Sequence, residues 1–372
     1  MKVIITGDFC PKERVAQDFA NGDYKALAAM KHVFEQVDYS IVNLECPILH
    51  DGEKPIIKNG PNLHADTHAL KALKEIGADC VTLANNHFRD FGDEGVLNTI
   101  SKLSKYGIDY VGGGKNLLEA ATVFYKKIGK ETLAIINCCE HEFSIATEAH
   151  CGSNPLNPIQ QFYAIQEAKQ NADYVLVIVH GGIEHYHLPT PRMQETYRFF
   201  ISSGADAVIN HHQHCYSGYE VFNGKPIFYG LGNLCFDNVA KRNSIWNEGY
   251  MVELLFSKSK IDFSLIPYHQ CDSEPKVVLY SEAEKQIFSK HIEELNEMIA
   301  DYAVLEKKYE ELKQTTRMKY RSYIEPYKSK LMRFLFRKHL LPSIMCRKYI
   351  IINNIIQCES HRERLLDAIS DN

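Results

Sequence analysis

Asp8, Glu45, Asn86, His87, Asp90, His180, His212 and His214 are the residues of this chain whose types and placement could do chemistry together. Carboxylate, amide and imidazole donors are intermediate in hardness. They suit Mn²⁺, iron or Zn²⁺ better than Ca²⁺ or a thiolate-loving metal. Two divalent ions facing neutral imidazoles alone would be poorly held, and Asp8 and Glu45 supply the anions. Two such metals activate water and clamp a phosphoryl oxygen, which is hydrolytic chemistry. His87, in Ala84-Asn-Asn-His87, can protonate a leaving group, and Asp90 is placed to orient it and fix its tautomer. Each residue has a plainer reading when taken singly: Asp8 as a turn residue, Glu45 as a loop carboxylate before Pro47, His180 as a satisfied core histidine. Asn85 reads equally well as a helix cap or a site residue.

The elements that must position these groups share one grammar. An aspartate introduces a short apolar run, and the run ends in a ligand-type residue. Asp38 leads to Asn43, Asp79 to Asn85-Asn86-His87, Asp173 to His180, and Asp206 to Asn210-His211-His212; the opening Val3-Ile4-Ile5 ends at Asp8. Short, continuously apolar, β-branched runs predict strands buried on both faces. Several follow a segment of helical spacing that stops at glycine, as Leu70, Leu73 and Ile76 do before Gly77 and Tyr197, Phe200 and Ile201 before Gly204. Helix, glycine, aspartate, strand is an α/β rhythm, and in such sheets ligands bind beyond the carboxyl ends of the strands. Gly112-Gly113-Gly114-Lys115 lacks phosphate-loop spacing and predicts a flexible turn. Gly230-Leu-Gly-Asn233 either brings backbone close to the site or forms a tight turn.

The chain has 372 residues with Lys+Arg 42 against Asp+Glu 47, a net charge of −5 that argues against nucleic acid as principal ligand. Eleven cysteines are an odd count with irregular spacing, and most sit in apolar runs, so reduced thiols in the cytoplasm are expected. The opening Met1–Thr6 is too short for a signal peptide, and no run approaches the roughly 20 residues of a membrane span.

In order along residues 1–270, Gly7-Asp8, Asn43-Leu-Glu45, Leu83–His87 with Asp90 and Gly92, His180–Glu184, Gly204–His214 and Tyr229–Asn233 resemble the CapA family. These are capsule and poly-γ-glutamate biosynthesis proteins of the calcineurin-like metallophosphoesterase superfamily. The resemblance implies a four-layer α-β-β-α sandwich of two mixed sheets. It implies two metals ligated by Asp8, Glu45, Asn86, His180, His212 and His214, with His87 catalytic. Cys10, Asn43, Asn85, Glu184, His211 and Asn233 are candidates for supporting the ligands or substrate. The sequence departs from the superfamily at Cys10, where a histidine often stands, and at Asn210, where glycine is usual; the membrane anchor of many CapA proteins is not expected here. The implied function is metal-dependent hydrolysis of a phosphorylated or polymer-related substrate. The alternative is a non-catalytic, metal-binding assembly factor for a surface-polymer synthase.

The catalytic domain is expected over 1–275 and a helical extension over 276–372. Phe288 to Leu312 recur at three- and four-residue steps, predicting one long amphipathic helix that packs on the core or on a second copy. Residues 317–348 carry ten Lys or Arg against the single acid Glu325, interleaved with Leu331, Met332, Phe334, Leu335, Phe336, Leu340 and Leu341. This segment reads equally as a peripheral contact with the inner membrane face or as basic helices covering the catalytic domain.

Overall fold

The aspartate before each buried run ties that run to its neighbour. In the computed structural model, which describes residues 1–50, 52–258 and 260–370, Asp38 accepts from the backbone N–H of Lys2 at 2.8 Å and Asp79 from that of Ser40 at 2.9 Å. Asp173 accepts from Thr132 N–H at 2.7 Å, and Asp206 from Val175 N–H at 2.9 Å. Each carboxylate satisfies a donor at the start of the adjacent strand, where the parallel ladder has not yet begun. The repeated aspartate therefore sets strand register, and register sets which residues reach the far end together.

Two sheets result. The first runs, in spatial order, Val277–Leu279, Ile261–Gln270, Glu248–Phe256, Lys2–Phe9, Tyr39–Leu44, Cys80–Thr82 and Asp109–Val111, with Asn233–Cys235 also paired to Lys2–Phe9. The second runs Tyr219–Phe222, Lys225–Phe228, Ala207–His211, Tyr174–His180, Glu131–Cys139 and Phe124–Ile128. Both are mixed: the first is antiparallel from Val277–Leu279 to Lys2–Phe9 and parallel from there to Asp109–Val111, while the second is parallel at its centre and antiparallel at both edges. Alternation along the strands sorts the core, since successive side chains point to opposite faces. Val3, Ile5, Ile41 and Cys80 join the second sheet's Leu133, Leu176 and Val208 in one cluster. Ile4, Val42 and Val81 point the other way, against Val15, Leu70, Leu73 and Leu103 of outer helices. Helices Pro158–Asn171 and Pro191–Ser202 bury Ile165 and Phe200 with the second sheet. Helix, sheet, sheet, helix is the four-layer α-β-β-α order expected.

Three expectations change. The chain divides into Met1–Leu305 and Glu306–Asn372, thirty residues beyond the expected boundary. The reason is the helix Glu282–Ala300, which starts at a Ser281–Glu284 capping box and buries Phe288, Ile292, Leu295 and Ile299 in the first unit's core. The long helix is also interrupted: Asp301 caps a second one, Tyr302–Ile324, accepting from the N–H groups of Ala303 and Val304. Gly112–Gly114 is not a flexible turn. Gly113–Gly114 pairs with Gly152–Ser153 and is buried, and a Cβ on Gly112 would fall 2.0 Å from Asn137 Oδ1. That oxygen holds the Ala84 N–H at 2.8 Å, so the glycine makes room for the amide that pins the start of Ala84–His87.

Candidate metal centre

His180 ends its strand and Asp8 stands one residue before the end of its own, Glu45 directly follows one, and His212 and His214 follow Ala207–His211. Parallel register places Asn43 opposite Asp8 and His211 opposite His180, so both sheets deliver polar side chains at one end. Gly7 makes this approach possible: a Cβ there would lie 2.0 Å from the Gly232 carbonyl, which accepts the Asp8 N–H at 3.1 Å. The Gly230–Asn233 segment thus brings backbone against the site.

Two groups of donors converge, each with its ligand atoms within 4.8 Å of one another: Glu45, His180 and His212, and Asp8, Glu45 and His214. Glu45 belongs to both. His180 Nε2 lies 3.1 Å from His212 Nδ1, 3.1 Å from Asn86 Oδ1 and 3.7 Å from Glu45 Oε1, so Asn86 joins the first group. His214 Nε2 is 3.5 Å from Glu45 Oε1, and its Nδ1 is 2.9 Å from Asn233 Oδ1. Neighbours hold the donors in place. Asn43 donates to Asp8 Oδ1 at 2.7 Å, the His212 N–H donates to Asp8 Oδ2 at 3.2 Å, and Asn86 donates its amide to Glu142 at 3.1 Å. Such outer contacts orient metal ligands. His212 (φ 92°), His214 (φ 55°) and His185 (φ 61°) all sit in the left-handed region, costly for residues with a Cβ.

The electrostatics fit a cation. Glu45 is wholly buried, and among the described residues neither of its oxygens has a hydrogen-bond partner. Burial first, then the negative charge of Asp8, pushes its carboxyl well above the usual range. Burial also works against ionised Asp8, but the hydrogen bond from His214 and the fields of His211, His180 and His214 hold its pKa low. Burial drives His180 well below the ordinary imidazole value, and the neighbouring His212 adds to this. Unpartnered carboxylate oxygens and neutral imidazoles in one buried pocket are what divalent ions satisfy.

The remaining candidates fall around this core. His87 Nδ1 lies 2.7 Å from Asp90 Oδ2. Asn85 accepts the His87 N–H and donates to the Leu44 carbonyl, which ties the Asn86-His87 turn to the neighbouring strand. His211 turns away, its Nε2 bonded to the Thr6 carbonyl at 2.8 Å. Glu184 stands at the rim, 4.0 Å from His185. Cys10 joins neither donor group. It packs in the outer cluster with Cys46, and burial followed by that thiol pushes its pKa up. Asn210 has its own work: it bonds the Gly181, His211 and Tyr229 carbonyls and the Tyr197 hydroxyl.

Lys58 escaped sequence reasoning. Its ammonium pairs with Asp90 and lies 3.2 Å from His87 Nδ1, with its side chain only 2% exposed. A lysine in Lys54-Pro-Ile-Ile-Lys58-Asn-Gly-Pro61 reads as a solvated loop charge. The fold closes that loop over Asp90, which accepts from the Leu63 N–H at 2.7 Å. Burial lowers the His87 pKa, Asp90 raises it, and Lys58 lowers it again. Lys241 was missed as well; it lies 3.0 Å from His185 Nε2 and 3.7 Å above the ring of Trp246, which in turn packs 4.6 Å from His214.

Four layers with carboxylates, an amide and imidazoles gathered at converging strand ends define an α/β protein equipped to hold metal. The model of the family described as bacterial capsule synthesis protein PGA_cap matches residues 2–238, and the chain belongs to that family. The capsule biosynthesis protein CapA of Bacillus anthracis is 34% identical over 208 residues, covering 54% of this chain and 51% of that protein. The PGA biosynthesis protein CapA of Bacillus subtilis (strain 168) is 31% identical over 208 residues, 55% of each chain. The chain thus spans about half the length of the curated relatives it matches. Among solved structures, a novel phosphatase from Mycoplasma pneumoniae aligns at a TM-score of 0.46 and 16% identity, over 73% of this chain and 95% of that one. The family match contains every candidate ligand and ends before the second unit.

Proposed function

We propose that this chain is a metal-dependent phosphoester hydrolase that serves the making of a bacterial surface polymer, capsule or poly-γ-glutamate. Glu45 carries the reading: one buried carboxylate, shared by two donor groups and unpartnered among the described residues. Asp8, Glu45 and His214 would hold one ion, and Glu45, Asn86, His180 and His212 the other, with Mn²⁺, iron or Zn²⁺ suited to the donors. Such a pair supplies Lewis acidity and a water nucleophile at neutral pH. The protein's part is orientation and proton handling. Asn43, Asn233 and Glu142 fix Asp8, His214 and Asn86 in advance. His87, with Nδ1 committed to Asp90, keeps Nε2 as the nitrogen that exchanges a proton. A substrate's negative charge raises its hold on that proton, which then passes to the departing oxygen. Lys58 and Lys241 add positive charge beside the site for an anionic substrate. Eleven free thiols, nine of them buried, support a reducing compartment such as the cytoplasm.

Purified protein supplied with Mn²⁺ should turn over a phosphomonoester or phosphodiester in a substrate panel, and a chelator should abolish the activity. Two bound metals with no turnover on any ester would favour the second reading, a metal-bearing assembly factor for a polymer synthase. One observation favours that reading: with Cys10 turned away, the Asp8–Glu45–His214 group has three protein ligands. Lys58→Met should lower kcat by roughly tenfold to a hundredfold with metal content unchanged, as losses of orienting partners do, and Lys58→Arg should restore part of it. Full activity in Lys58→Met would remove the lysine from the mechanism.

A further inference from the structure

We infer that the second unit carries a docking surface for an anionic lipid bilayer, independent of the chemistry proposed for the first. Residues 317–348 contain ten Lys or Arg and one acid, Glu325. That acid is buried and engaged: it accepts from the hydroxyls of Ser343 and Tyr349 and from the N–H groups of Ile344 and Met345. The segment therefore presents cations and no free carboxylate. The same contacts fold the 343–349 turn back onto the end of Tyr302–Ile324, and the Tyr327 hydroxyl bonds the Pro342 carbonyl.

Beside these cations stand large apolar side chains in water. Helix Lys330–Arg337 uses Phe336 internally, packed 5.5 Å from Tyr327, but leaves Leu331 65%, Met332 42% and Phe334 46% exposed between Lys330, Arg333 and Arg337. Leu340 is 67% exposed, Ile344 60%, and Ile350 81% on the next helix, Tyr349–Gln357. Singly exposed leucines are ordinary, but a basic segment that exposes this many is not.

Charge and apolarity together choose the occupant. A second copy would bring ten more cations against these ten. A nucleic acid would satisfy the cations and leave Leu331, Leu340 and Ile350 in water. An anionic bilayer meets both needs, with headgroups at the lysines and arginines and the acyl boundary under the apolar side chains. Helices of eight and nine residues are too short to cross, and among the described residues no helix is long and apolar enough to do so. The contact lies on the surface.

The test is co-sedimentation of the full chain with phosphatidylcholine vesicles, with and without roughly one third phosphatidylglycerol. Binding should be at least about tenfold stronger to the anionic vesicles and should weaken at high salt. The double variant Leu331→Ser with Phe334→Ser changes exposed positions, so it should keep its circular dichroism and melting temperature while losing about tenfold in vesicle binding. Equal binding to neutral and anionic vesicles, or equal binding by chain and variant, overturns the proposal. So does a dimer in light scattering that the variant abolishes, which would assign the face to a second copy. Tight binding to a homopolymer RNA, unchanged in the variant and stronger than to vesicles, would assign it to nucleic acid.

Discussion

Glu45→Gln should strip the centre of metal while leaving the metal-free fold at least as stable as the original. The carboxyl is buried without a partner among the described residues, and burial and Asp8 raise its pKa well above the usual range. An acid whose folded pKa is raised costs stability once the pH passes its unfolded value, and the cost grows up to the folded value. Above the ordinary glutamate range, then, metal-free Glu45→Gln should melt at or above the metal-free parent. Adding metal reverses the order. Ligand at about a hundred times Kd stabilises a fold by about 2.7 kcal/mol. At roughly 2–4 °C per kcal/mol for a domain of this size, the parent should gain about 5–10 °C. The variant, lacking the shared ligand of both groups, should gain little. Differential scanning fluorimetry with and without Mn²⁺ reads both quantities, and an equal metal-induced rise in the variant would remove Glu45 from the centre.

His87→Ala should do the opposite, keeping metal and losing turnover. His87 belongs to neither donor group, and its bond to Asp90 fixes one nitrogen and frees the other. Loss of a positioned acid costs on the order of 10²–10⁴ in rate. Steady-state kinetics alongside metal analysis make the check: kcat should fall within that range at unchanged metal content. Retained activity would leave hydrolysis without its proton donor, and lost metal would make the residue structural.

The strand ends were legible because one local rule wrote them. Asp38, Asp79, Asp173 and Asp206 each close a ladder, and a fixed strand start leaves a fixed strand end where Asn86, His180 and His212 stand. What escaped depended on contacts distant in sequence. Lys58 reaches His87 from a loop 29 residues earlier, and nothing local marks that lysine as buried. Whether Cys10 met a metal or Cys46 was a matter of which way the chain turned just past Lys2–Phe9, after the register shift between Ile5 and Asp8. Gly112 looked permissive because its neighbour Asn137 lies on another strand. Helix Glu282–Ala300 lies beyond the domain boundary expected at 275 because periodicity gives a face and not the surface it packs on.

In the proposed centre one shared carboxylate, Glu45, organises two metal ions. Inductively coupled plasma mass spectrometry of the purified, Mn²⁺-loaded chain measures it directly. Two ions per chain are predicted, falling to one or none in Glu45→Gln. A metal-free chain, or a variant that keeps both ions, would contradict it.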